Sequence, residues 1–457
     1  MKRWVFQQGK GRRKLQFSPA QYIAVIFALI ILVGTALLTL PMASRSGVSC
    51  GPFSALFTAT SATCVTGLVL FDTFTQWSGF GQTVILCLIE LGGLGFMSAA
   101  SVVVFVLRRR VGLRQRMLMA QALSVSDMES VVKLQKWVLS ISLGIQLAGA
   151  LILFLHFLPG YGVRQSLVWG VFHAVSAFCN AGFDIFGSIE SGIGMQAFQK
   201  DAVVCITIMV LIASGGLGFF VWEEVFRIRS WKRFSVYTKI VLLTTGILIL
   251  FGAVSFCILE WNNPDTLGPM SIPQKILNGF FQSVTLRTAG FASIDQASMT
   301  EAGKAISIVL MLVGGSSGST AGGVKTVTMV VLLLFVWSRL RGRGSVCVFK
   351  RTVPEQQVLD AMTVVTILAG LALFGGMFIC MTSPVSFTDG LYEAASALAT
   401  VGLTAGVTSR LSVAAQVLMM IYMYFGRVGV LTLSLSFLMG DKVQERYRYA
   451  QTNLLIG

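Results

Sequence analysis

Long apolar runs separated by short polar segments dominate the pattern of hydrophobic and polar positions along this chain. A helix needs about 20 apolar residues to cross the roughly 30 Å hydrocarbon core of a bilayer. Eight runs have about this length or more, and they lie at residues 21–41, 81–107, 136–158, 202–226, 238–260, 304–338, 358–382 and 412–438. The pattern predicts an all-α polytopic membrane protein with eight spanning helices.

The first run has a signal peptide as its alternative interpretation, because basic residues precede it. The apolar region of a signal peptide is about 7 to 15 residues long and ends at a small-residue cleavage site. The run at 21–41 is longer, and no clear site of this kind follows it. We therefore predict a first spanning helix, preceded by a cytoplasmic N-terminus at 1–20.

The composition narrows the class further. The chain has 457 residues, of which 55% are hydrophobic and 12% charged, whereas soluble domains carry about 25% charged residues. The net charge of +16 comes from cations that cluster between the apolar runs, at 2–14, 108–116, 227–233, 339–351 and 442–448. This is the positive-inside distribution of a membrane protein, which predicts that both termini are cytoplasmic and excludes nucleic acid as a partner.

A semi-apolar segment follows every second run. Such a segment is too short to span a bilayer and too apolar to lie in water, which is typical of a re-entrant loop. Aligned, the four segments read FTATSATCVTGL (57–68), FHAVSAFCNAGF (172–183), FFQSVTLRTAGF (280–291) and YEAASALATVGL (392–403). Each has a glycine at the same position, and these glycines recur about every 110 residues, as Gly67, Gly182, Gly290 and Gly402.

A second glycine-containing landmark follows each re-entrant segment in register. It reads GGLG at 92–95, GGLG at 215–218, GGSSG at 314–318 and GRVG at 426–429. Two landmarks that recur four times at one period indicate four copies of helix, re-entrant loop and helix. We predict that these repeats surround a pseudo-fourfold central pore. Their boundaries are 21–107, 136–226, 238–338 and 358–438, and a cytoplasmic C-terminus follows at 439–457.

The residues at the four glycines indicate the chemistry of the pore. Glycine readily adopts positive φ, which lets neighbouring carbonyl oxygens turn towards one axis and replace the hydration shell of a potassium ion. The residues just before the glycines are neutral, whereas a calcium or magnesium site would recruit Asp or Glu. The predicted substrate is therefore a dehydrated monovalent cation. The predicted selectivity filter consists of Val65, Thr66, Gly67, Asn180, Ala181, Gly182, Thr288, Ala289, Gly290, Thr400, Val401 and Gly402.

Small and hydroxylic residues interrupt the apolar run at 304–338. Such residues weaken a helix, and non-helical backbone is tolerated at membrane depth where it lines a water-filled cavity. We predict a gate here, below the filter on the cytoplasmic side. Arg427, inside the last apolar run, either repels cations and holds the broken helix closed or is only a structural hydrogen-bond donor. The gate residues are Gly314, Gly315, Ser316, Ser317, Gly318, Ser319, Thr320, Lys325 and Arg427.

The interrupting segment also comes close to the nucleotide-binding pattern GxxxxGK[ST]. Val324 separates the last glycine from Lys325, no strand is predicted before the segment, and the location is intramembrane, so we predict no nucleotide site. The sequence has no nucleophile paired with a base and no cluster of metal ligands, so it predicts no enzyme. A component of a cation pump, or an unrelated transporter with structural re-entrant loops, remains a weaker alternative.

Three ionisable residues lie in apolar surroundings, where they are expected to have hydrogen-bond or ion-pair partners. Arg287, just before the third filter glycine, is expected to brace its loop from behind, against Glu393 or Asp295. His173, at the start of the second re-entrant helix, is expected to pack through hydrogen bonds rather than to relay protons. Glu90 lies inside an apolar run, so it either has a partner or faces the pore.

The four loops, the segment GGSSGSTAGGVKT (314–326) and the terminal FGRVG (425–429) resemble the Trk/Ktr/HKT superfamily of cation transporters. The resemblance covers nearly the whole chain. The short N-terminus and eight spans are more similar to the ion-conducting subunits of bacterial Ktr systems than to TrkH proteins, which have extra N-terminal helices.

This resemblance implies a transporter of the bacterial cell membrane. Because a glycine is present in all four loops, it also implies that the transported ion is potassium. It also implies an intramembrane gating loop, sodium as a coupling or activating ion, and no covalently bound cofactor. The implied partners are membrane lipid, a second copy of the chain in a homodimer, and a cytosolic ring of nucleotide-binding (RCK-type) regulatory subunits. A less selective Na⁺/K⁺ transporter of the same superfamily is the alternative.

Overall fold

The structure is a computed structural model that describes residues 19–95, 131–190 and 192–429. Its regular elements are almost all helical, as the apolar pattern predicts. The helices are α1 (Pro19–Thr39), α2 (Pro52–Thr63), α3 (Thr73–Gln76), α4 (Gly79–Gly93), α5 (Val131–Cys179), α6 (Ala202–Leu217), α7 (Phe219–Ile228), α8 (Val236–Leu259), α9 (Ile272–Thr285), α10 (Glu301–Leu312), α11 (Thr326–Leu340), α12 (Glu355–Thr382), α13 (Phe387–Leu398) and α14 (Val413–Val428).

The described strands are two residues long and form an antiparallel hairpin, β1 (Cys347–Val348) and β2 (Arg351–Thr352), between α11 and α12. Several predicted features lie outside the described residues. These are most of the N-terminus at 1–20, the end of the second spanning run, the basic run at 108–116, and the chain from 430 onwards with its basic tail.

Three helices in the described ranges are long and apolar enough to cross a membrane, namely Lys136–Cys179 within α5, α8 and α12. The pair α6 and α7 meets the same criterion together, although the two helices meet at 95°. The described parts of α1, α4, α11 and α14 are apolar but shorter. Large apolar side chains point outwards from the long helices, including Leu147, Ile247 and Met381, which suits contact with lipid chains.

Helix α5 contains both a spanning helix and the second re-entrant helix. It is broken at Gly162, whose φ of 72° and ψ of 169° are not helical, and Pro159 lies just before the break. Glycine tolerates this conformation, and proline removes a helical N–H donor. The chain therefore turns after the predicted span, and residues 163–179 form a re-entrant helix like α2, α9 and α13.

The repeats pack into a closed ring. Within repeats, α2 packs against α1 and α4, α9 packs against α8, and α13 packs against α12 and α14. Between repeats, α4 contacts α5, α6 contacts α9, α10 contacts α13, and α14 contacts α2. The last contact joins the fourth repeat to the first. The re-entrant helices are thereby enclosed by the others, and their aromatic residues Phe57, Phe178 and Phe281 are fully buried.

The predicted interruption of the run at 304–338 is a non-helical segment. Helix α10 ends at Leu312 and α11 begins at Thr326, and we call residues 313–325 the intramembrane loop. Its two ends pair with each other, since the Gly314 N–H donates to the Val324 carbonyl (2.9 Å) and the Val324 N–H donates to the Leu312 carbonyl (3.0 Å). The loop therefore satisfies part of its own backbone, as it must at membrane depth.

An ion pair joins the third and fourth repeats. Lys304 Nζ lies 2.8 Å from Asp389 Oδ1, and the two side chains are 8% and 21% exposed. Glu301 lies 3.9 Å from the same ammonium group but is largely exposed. A buried pair adds little net stability, but removing one member leaves the other charge buried without compensation.

We therefore expect Asp389→Ala to destabilise the protein by on the order of 3 kcal/mol, since Lys304 would lose its close counter-charge. The measurement is thermal unfolding of the purified protein in detergent. Asp265→Ala is the matched control, because the Asp265 side chain is exposed and makes no ion pair among the described residues. Equal unfolding temperatures for the two variants would contradict this view of the ion pair.

Candidate functional site: the junction of the four re-entrant loops

The four aligned glycines meet at one place. Gly67, Gly182, Gly290 and Gly402 all line a single cavity of about 340 Å³. Residues that follow the glycines in their own loops form the cavity wall, including Asp72, Asp184, Asp295, Gln196 and Thr404. The loops therefore share one central opening. We call the side of the ring on which this cavity lies the outer side.

The loops approach one another through their backbones in cyclic order. A methyl carbon placed on Gly290 would lie 2.5 Å from the Val401 carbonyl oxygen, and one on Gly182 would lie 2.7 Å from the Ala289 carbonyl oxygen. The same crowding occurs at the other two glycines. The pairs are Gly67 with Ala181, Gly182 with Ala289, Gly290 with Val401, and Gly402 with Thr66. Each glycine thus makes room for the carbonyl group that precedes the glycine of the next repeat.

The backbone of each loop turns left-handed twice. The four glycines have φ of 98°, 68°, 87° and 94°, as their predicted role requires. The residue two positions earlier also has positive φ in every repeat, as Val65 (57°), Asn180 (61°), Thr288 (66°) and Thr400 (52°). This conformation is strained for valine and threonine. Sequence reasoning missed it, because only asparagine among these residue types signals such a turn.

The second landmark explains how the loops are held in place. Its first glycine lies against the carbonyl of the residue four positions before the filter glycine, with no room for a side chain. The contacts are Gly92 with Thr63, Gly215 with Phe178, and Gly426 with Leu398. The second spanning helix therefore packs directly on the carbonyl end of the re-entrant helix. In the third repeat, the first landmark glycine, Gly314, belongs to the intramembrane loop and lies against the Gly322 carbonyl of that loop instead.

The intramembrane loop lies beneath the junction and contacts the other repeats. The Thr320 hydroxyl donates to the Phe178 carbonyl (3.2 Å), and the Thr320 N–H donates to the Gly215 carbonyl (3.3 Å). A methyl carbon on Gly322 would lie 2.8 Å from the Ala399 carbonyl oxygen. The loop therefore spans from the second repeat to the base of the fourth re-entrant loop.

Arg427 connects this loop to the first and fourth repeats. Its guanidinium group donates to the carbonyl oxygens of Thr320 in the loop, Gly92 and Gly93, with 3.0 Å for the last of these. Lys325 donates to the Ala321 carbonyl within the loop (2.7 Å). The sequence leaves open whether Arg427 contacts the broken helix, and in the structure its guanidinium group binds the Thr320 carbonyl of that segment.

The expected partners of Arg287 were wrong. Arg287 donates to the Gly314 carbonyl of the intramembrane loop (3.4 Å) and forms no ion pair among the described residues. Glu393 instead accepts hydrogen bonds from its own loop, from the Ala405 N–H (3.1 Å) and the hydroxyls of Thr404 and Thr408. Asp295 accepts from nearby loop residues. Arg287 braces its loop, but against a backbone carbonyl, which no sequence pattern identifies.

Glu90 has partners in the second repeat. Its carboxylate accepts from the amide of Gln146 (3.2 Å) and lies 3.3 Å from Cys179 Sγ. These contacts join α4 to the parts of α5 before and after its break at Gly162. The sequence left open whether Glu90 has a partner or faces the pore, and the structure shows that it has partners.

His173 packs, as expected. Its Nδ1 lies 2.7 Å from the Trp169 carbonyl oxygen and must donate to it, while Nε2 accepts from the Ile185 N–H (3.2 Å). The ring stacks on Phe186 with centroids 3.8 Å apart. Both ring nitrogens are therefore used, and the neutral tautomer fits this site.

The outer cavity is acidic. Asp72 accepts from the backbone N–H groups of Thr75 (2.8 Å) and Gly192 (3.2 Å). Asp184 also lines this cavity, and burial and the nearby charge of Asp72 raise its pKa to about 7. Carboxylates above four neutral loops create a negative potential that favours the approach of cations.

Comparison with known proteins identifies the relatives of this arrangement. Residues 5–446 match the TrkH family, described as cation transport protein. The chain is 38% identical to Ktr system potassium uptake protein B of Bacillus subtilis, covering 96% of this chain and 98% of that one. It is 37% identical to potassium/sodium uptake protein NtpJ of Enterococcus hirae, covering 98% and 99%.

The fold is similar to that in the crystal structure of the potassium transporter TrkH from Vibrio parahaemolyticus. The TM-score is 0.70 at 17% sequence identity, and the match covers 93% of this chain and 86% of that one. These findings confirm the predicted all-α polytopic membrane fold and the predicted Trk/Ktr resemblance.

We expect Gly215→Ala to destabilise the protein by about 2 kcal/mol, as overpacking typically does. The added methyl group would overlap the Phe178 carbonyl oxygen and crowd the Thr320 hydroxyl. Thermal unfolding in detergent measures the effect. Gly246→Ala is the control, because a methyl group there meets nothing within 4 Å. A Gly215 variant as stable as this control would contradict the close approach described above.

Proposed function

This chain belongs to the TrkH family of cation transport proteins, and on that premise we propose that it is the ion-translocating subunit of a Ktr/Trk-type potassium uptake system. One observation carries the proposal. At the junction, each glycine faces the carbonyl group that precedes the glycine of the next repeat, so four neutral loops present backbone oxygens around one opening.

The proposed filter works by replacing water with carbonyl oxygens. A potassium ion gives up its hydration shell when enough carbonyl dipoles surround it. The re-entrant helices point their partially negative C-terminal ends at the junction, which favours cations over anions. Neutral ligands suit a monovalent ion, because they bind it weakly enough for it to leave the filter again. Carboxylates would suit divalent ions.

We propose that the outer side is extracellular and that both termini are cytoplasmic, in agreement with the basic runs. Asp72 and Asp184 then lie in the entrance, where Asp72, and Asp184 in its ionised form, raise the local concentration of cations. The ion would pass from this cavity through the filter to the intramembrane loop. Only then would it meet the cytoplasm.

The intramembrane loop and Arg427 form the proposed gate. Three donor contacts from one guanidinium join the loop to the backbone of the first repeat. A positive charge at this depth also opposes cation passage and is retained mainly where it has partners. Opening would require Arg427 to release Thr320.

The proposed partners are a second copy of the chain, membrane lipid and a cytosolic ring of nucleotide-binding regulatory subunits. The resemblance to Ktr proteins implies these partners, and the name of the Bacillus subtilis relative, which assigns it to a Ktr system, supports that resemblance. Sodium would act as a coupling or activating ion. The named relatives are transporters and not enzymes.

A less selective Na⁺/K⁺ transporter is the second candidate. The name of the Enterococcus hirae relative includes both ions, and its identity to this chain equals that of the potassium-uptake relatives within a few percent. The relative uptake of the two ions distinguishes the candidates.

Growth of a potassium-uptake-deficient bacterium at low external potassium tests the proposal directly. We expect expression of this chain, with a regulatory partner of the RCK type, to restore growth. Rubidium and sodium uptake into the same cells then measure selectivity. Failure to restore growth or uptake by a protein that reaches the membrane would overturn the proposed function.

Gly67→Ser should lower the preference for potassium over sodium roughly tenfold, because the side chain displaces the Ala181 carbonyl from the ring of oxygens. Competition of sodium with rubidium uptake measures this preference. Gly79→Ser is the control, since nothing lies within 4 Å of a methyl group at Gly79. Unchanged preference in the Gly67 variant would exclude the first loop from the filter.

Arg427→Ala should raise basal uptake without the regulatory partner about threefold to tenfold, because the closed state loses the hydrogen bond to Thr320 that opening must break, which contributes about 1 kcal/mol. Arg427→Lys keeps the charge but cannot make the same three contacts, so it separates the two effects. Rubidium uptake without the partner is the readout. If neither variant raises uptake although both fold, the gate lies elsewhere.

A further inference from the structure

A buried hydroxyl group lies behind the filter in every repeat. These groups belong to the re-entrant helices and are fully buried, as Ser61, Ser176, Thr285 and Ser396. Each donates to or accepts from the backbone of its own loop at or beside the filter glycine. None of the four lines the cavity at the junction, so the proposed transport path does not use them directly.

In the first and fourth repeats, the hydroxyl binds the glycine itself. The Gly67 N–H donates to Ser61 Oγ (3.0 Å), and the Gly402 N–H donates to Ser396 Oγ (3.1 Å). The N–H and C=O of one trans peptide point in opposite directions. Holding the Gly67 N–H towards the re-entrant helix therefore turns the Thr66 carbonyl away from it, towards the neighbouring loop.

The contact geometry agrees with this orientation. The Thr66 carbonyl oxygen is the nearest atom to a methyl group placed on Gly402, and the Val401 carbonyl oxygen is the nearest to one placed on Gly290. These are the carbonyl groups whose peptide N–H binds Ser61 and Ser396. The two serines thus set the direction of two of the four oxygens at the junction.

In the second and third repeats, the hydroxyl binds two peptides further along the chain. Ser176 Oγ donates to the Phe183 carbonyl (2.7 Å), and Thr285 Oγ1 donates to the Phe291 carbonyl (2.7 Å). The phenylalanine follows the filter glycine in both cases. Leucine occupies this position in the first and fourth repeats. The loops are therefore supported in two ways, at the glycine N–H in repeats one and four and at the phenylalanine carbonyl in repeats two and three.

One residue per repeat supplies both the hydroxyl and a backbone acceptor. The residue before each glycine donates its N–H to the carbonyl of that same serine or threonine, at 2.8 Å for Ser61, Ser176 and Ser396 and 2.9 Å for Thr285. In the third repeat, the accepting residue Thr285 lies one position closer to the glycine than the serines do, and it supplies the hydroxyl group as well as the carbonyl. The coincidence in all four repeats indicates one shared device rather than four separate packing contacts.

We infer that Ser61 and Ser396 are positioning residues that fix the directions of two filter carbonyls and thereby the preference for potassium over sodium. Ser176 and Thr285 hold the other two loops at the residue after the glycine. The inference rests on the proposed function. Carbonyl oxygens crowded around one point repel one another, so a filter without support from behind would relax. A relaxed filter accommodates a smaller ion more readily, because its oxygens can follow the ion inwards.

Ser61→Ala and Ser396→Ala test the inference in the full-length chain in membranes. We expect each to lower the preference for rubidium over sodium threefold to tenfold, since one buried hydrogen bond contributes about 1 kcal/mol. Ser61→Thr keeps a hydroxyl and should retain the wild-type preference. The readout is sodium competition with rubidium uptake, which a purely structural role would not change at equal amounts of folded protein.

Ser283→Ala is the matched control. Its hydroxyl is also buried in a re-entrant helix but donates to the Ile249 carbonyl of α8 (2.7 Å), away from the filter. Its preference should equal that of the wild type. If Ser61→Ala does not fold, Ser396→Ala makes the same test in the fourth repeat.

Gly67→Ser separates the two levels of the proposal. If it changes the preference and the alanine variants do not, the positioning role is overturned and the filter assignment stands. If Gly67→Ser also leaves the preference unchanged, the filter assignment fails and takes this inference with it. A loss of preference in Ser61→Ala and Ser396→Ala, but not in Ser283→Ala, supports the positioning role.

Discussion

Four backbones approach one another at a single point, and the absence of side chains between them makes this approach feasible. Because each filter glycine has no side chain, it leaves room for the carbonyl group that precedes the glycine of the next loop. The same principle acts one layer further out, where Gly92, Gly215 and Gly426 let spanning helices rest on the ends of the re-entrant helices. Two nested sets of glycine contacts therefore determine the shape of the centre.

Carbonyl groups gathered in this way need support, because their partial charges repel one another. The structure provides that support from behind, through hydroxyl groups and backbone carbonyls of the re-entrant helices. Below the centre, the intramembrane loop has the opposite character. Its contacts with Arg427, Gly215 and Phe178 are hydrogen bonds that a second arrangement could exchange for water. Support from behind at the junction and hydrogen bonds to the loop below suit the proposed filter above the proposed gate.

Much of this arrangement follows from the printed sequence. Apolar length and charge distribution predict the helices, and the doubled glycine pattern predicts four repeats with Gly67, Gly182, Gly290 and Gly402 as equivalents. The break at 313–325 is predictable because small residues interrupt an apolar run. Even the supporting serines leave a signal, since Ser61, Ser176 and Ser396 occupy the same aligned position. Thr285, displaced by one residue, does not fit that alignment and becomes equivalent only through its contacts.

By itself, the sequence determined the features that local residue chemistry and repetition encode. These are the lengths of the spanning helices, the interruption of one helix, and the glycines that recur at fixed intervals. Only the tertiary structure decided which groups meet. Arg287 binds a loop carbonyl rather than an acid, Glu90 binds Gln146, and Val65 adopts a left-handed conformation. The physical reason is that such choices depend on backbone carbonyls and on packing between repeats about a hundred residues apart, and every residue offers the same carbonyl whatever its side chain.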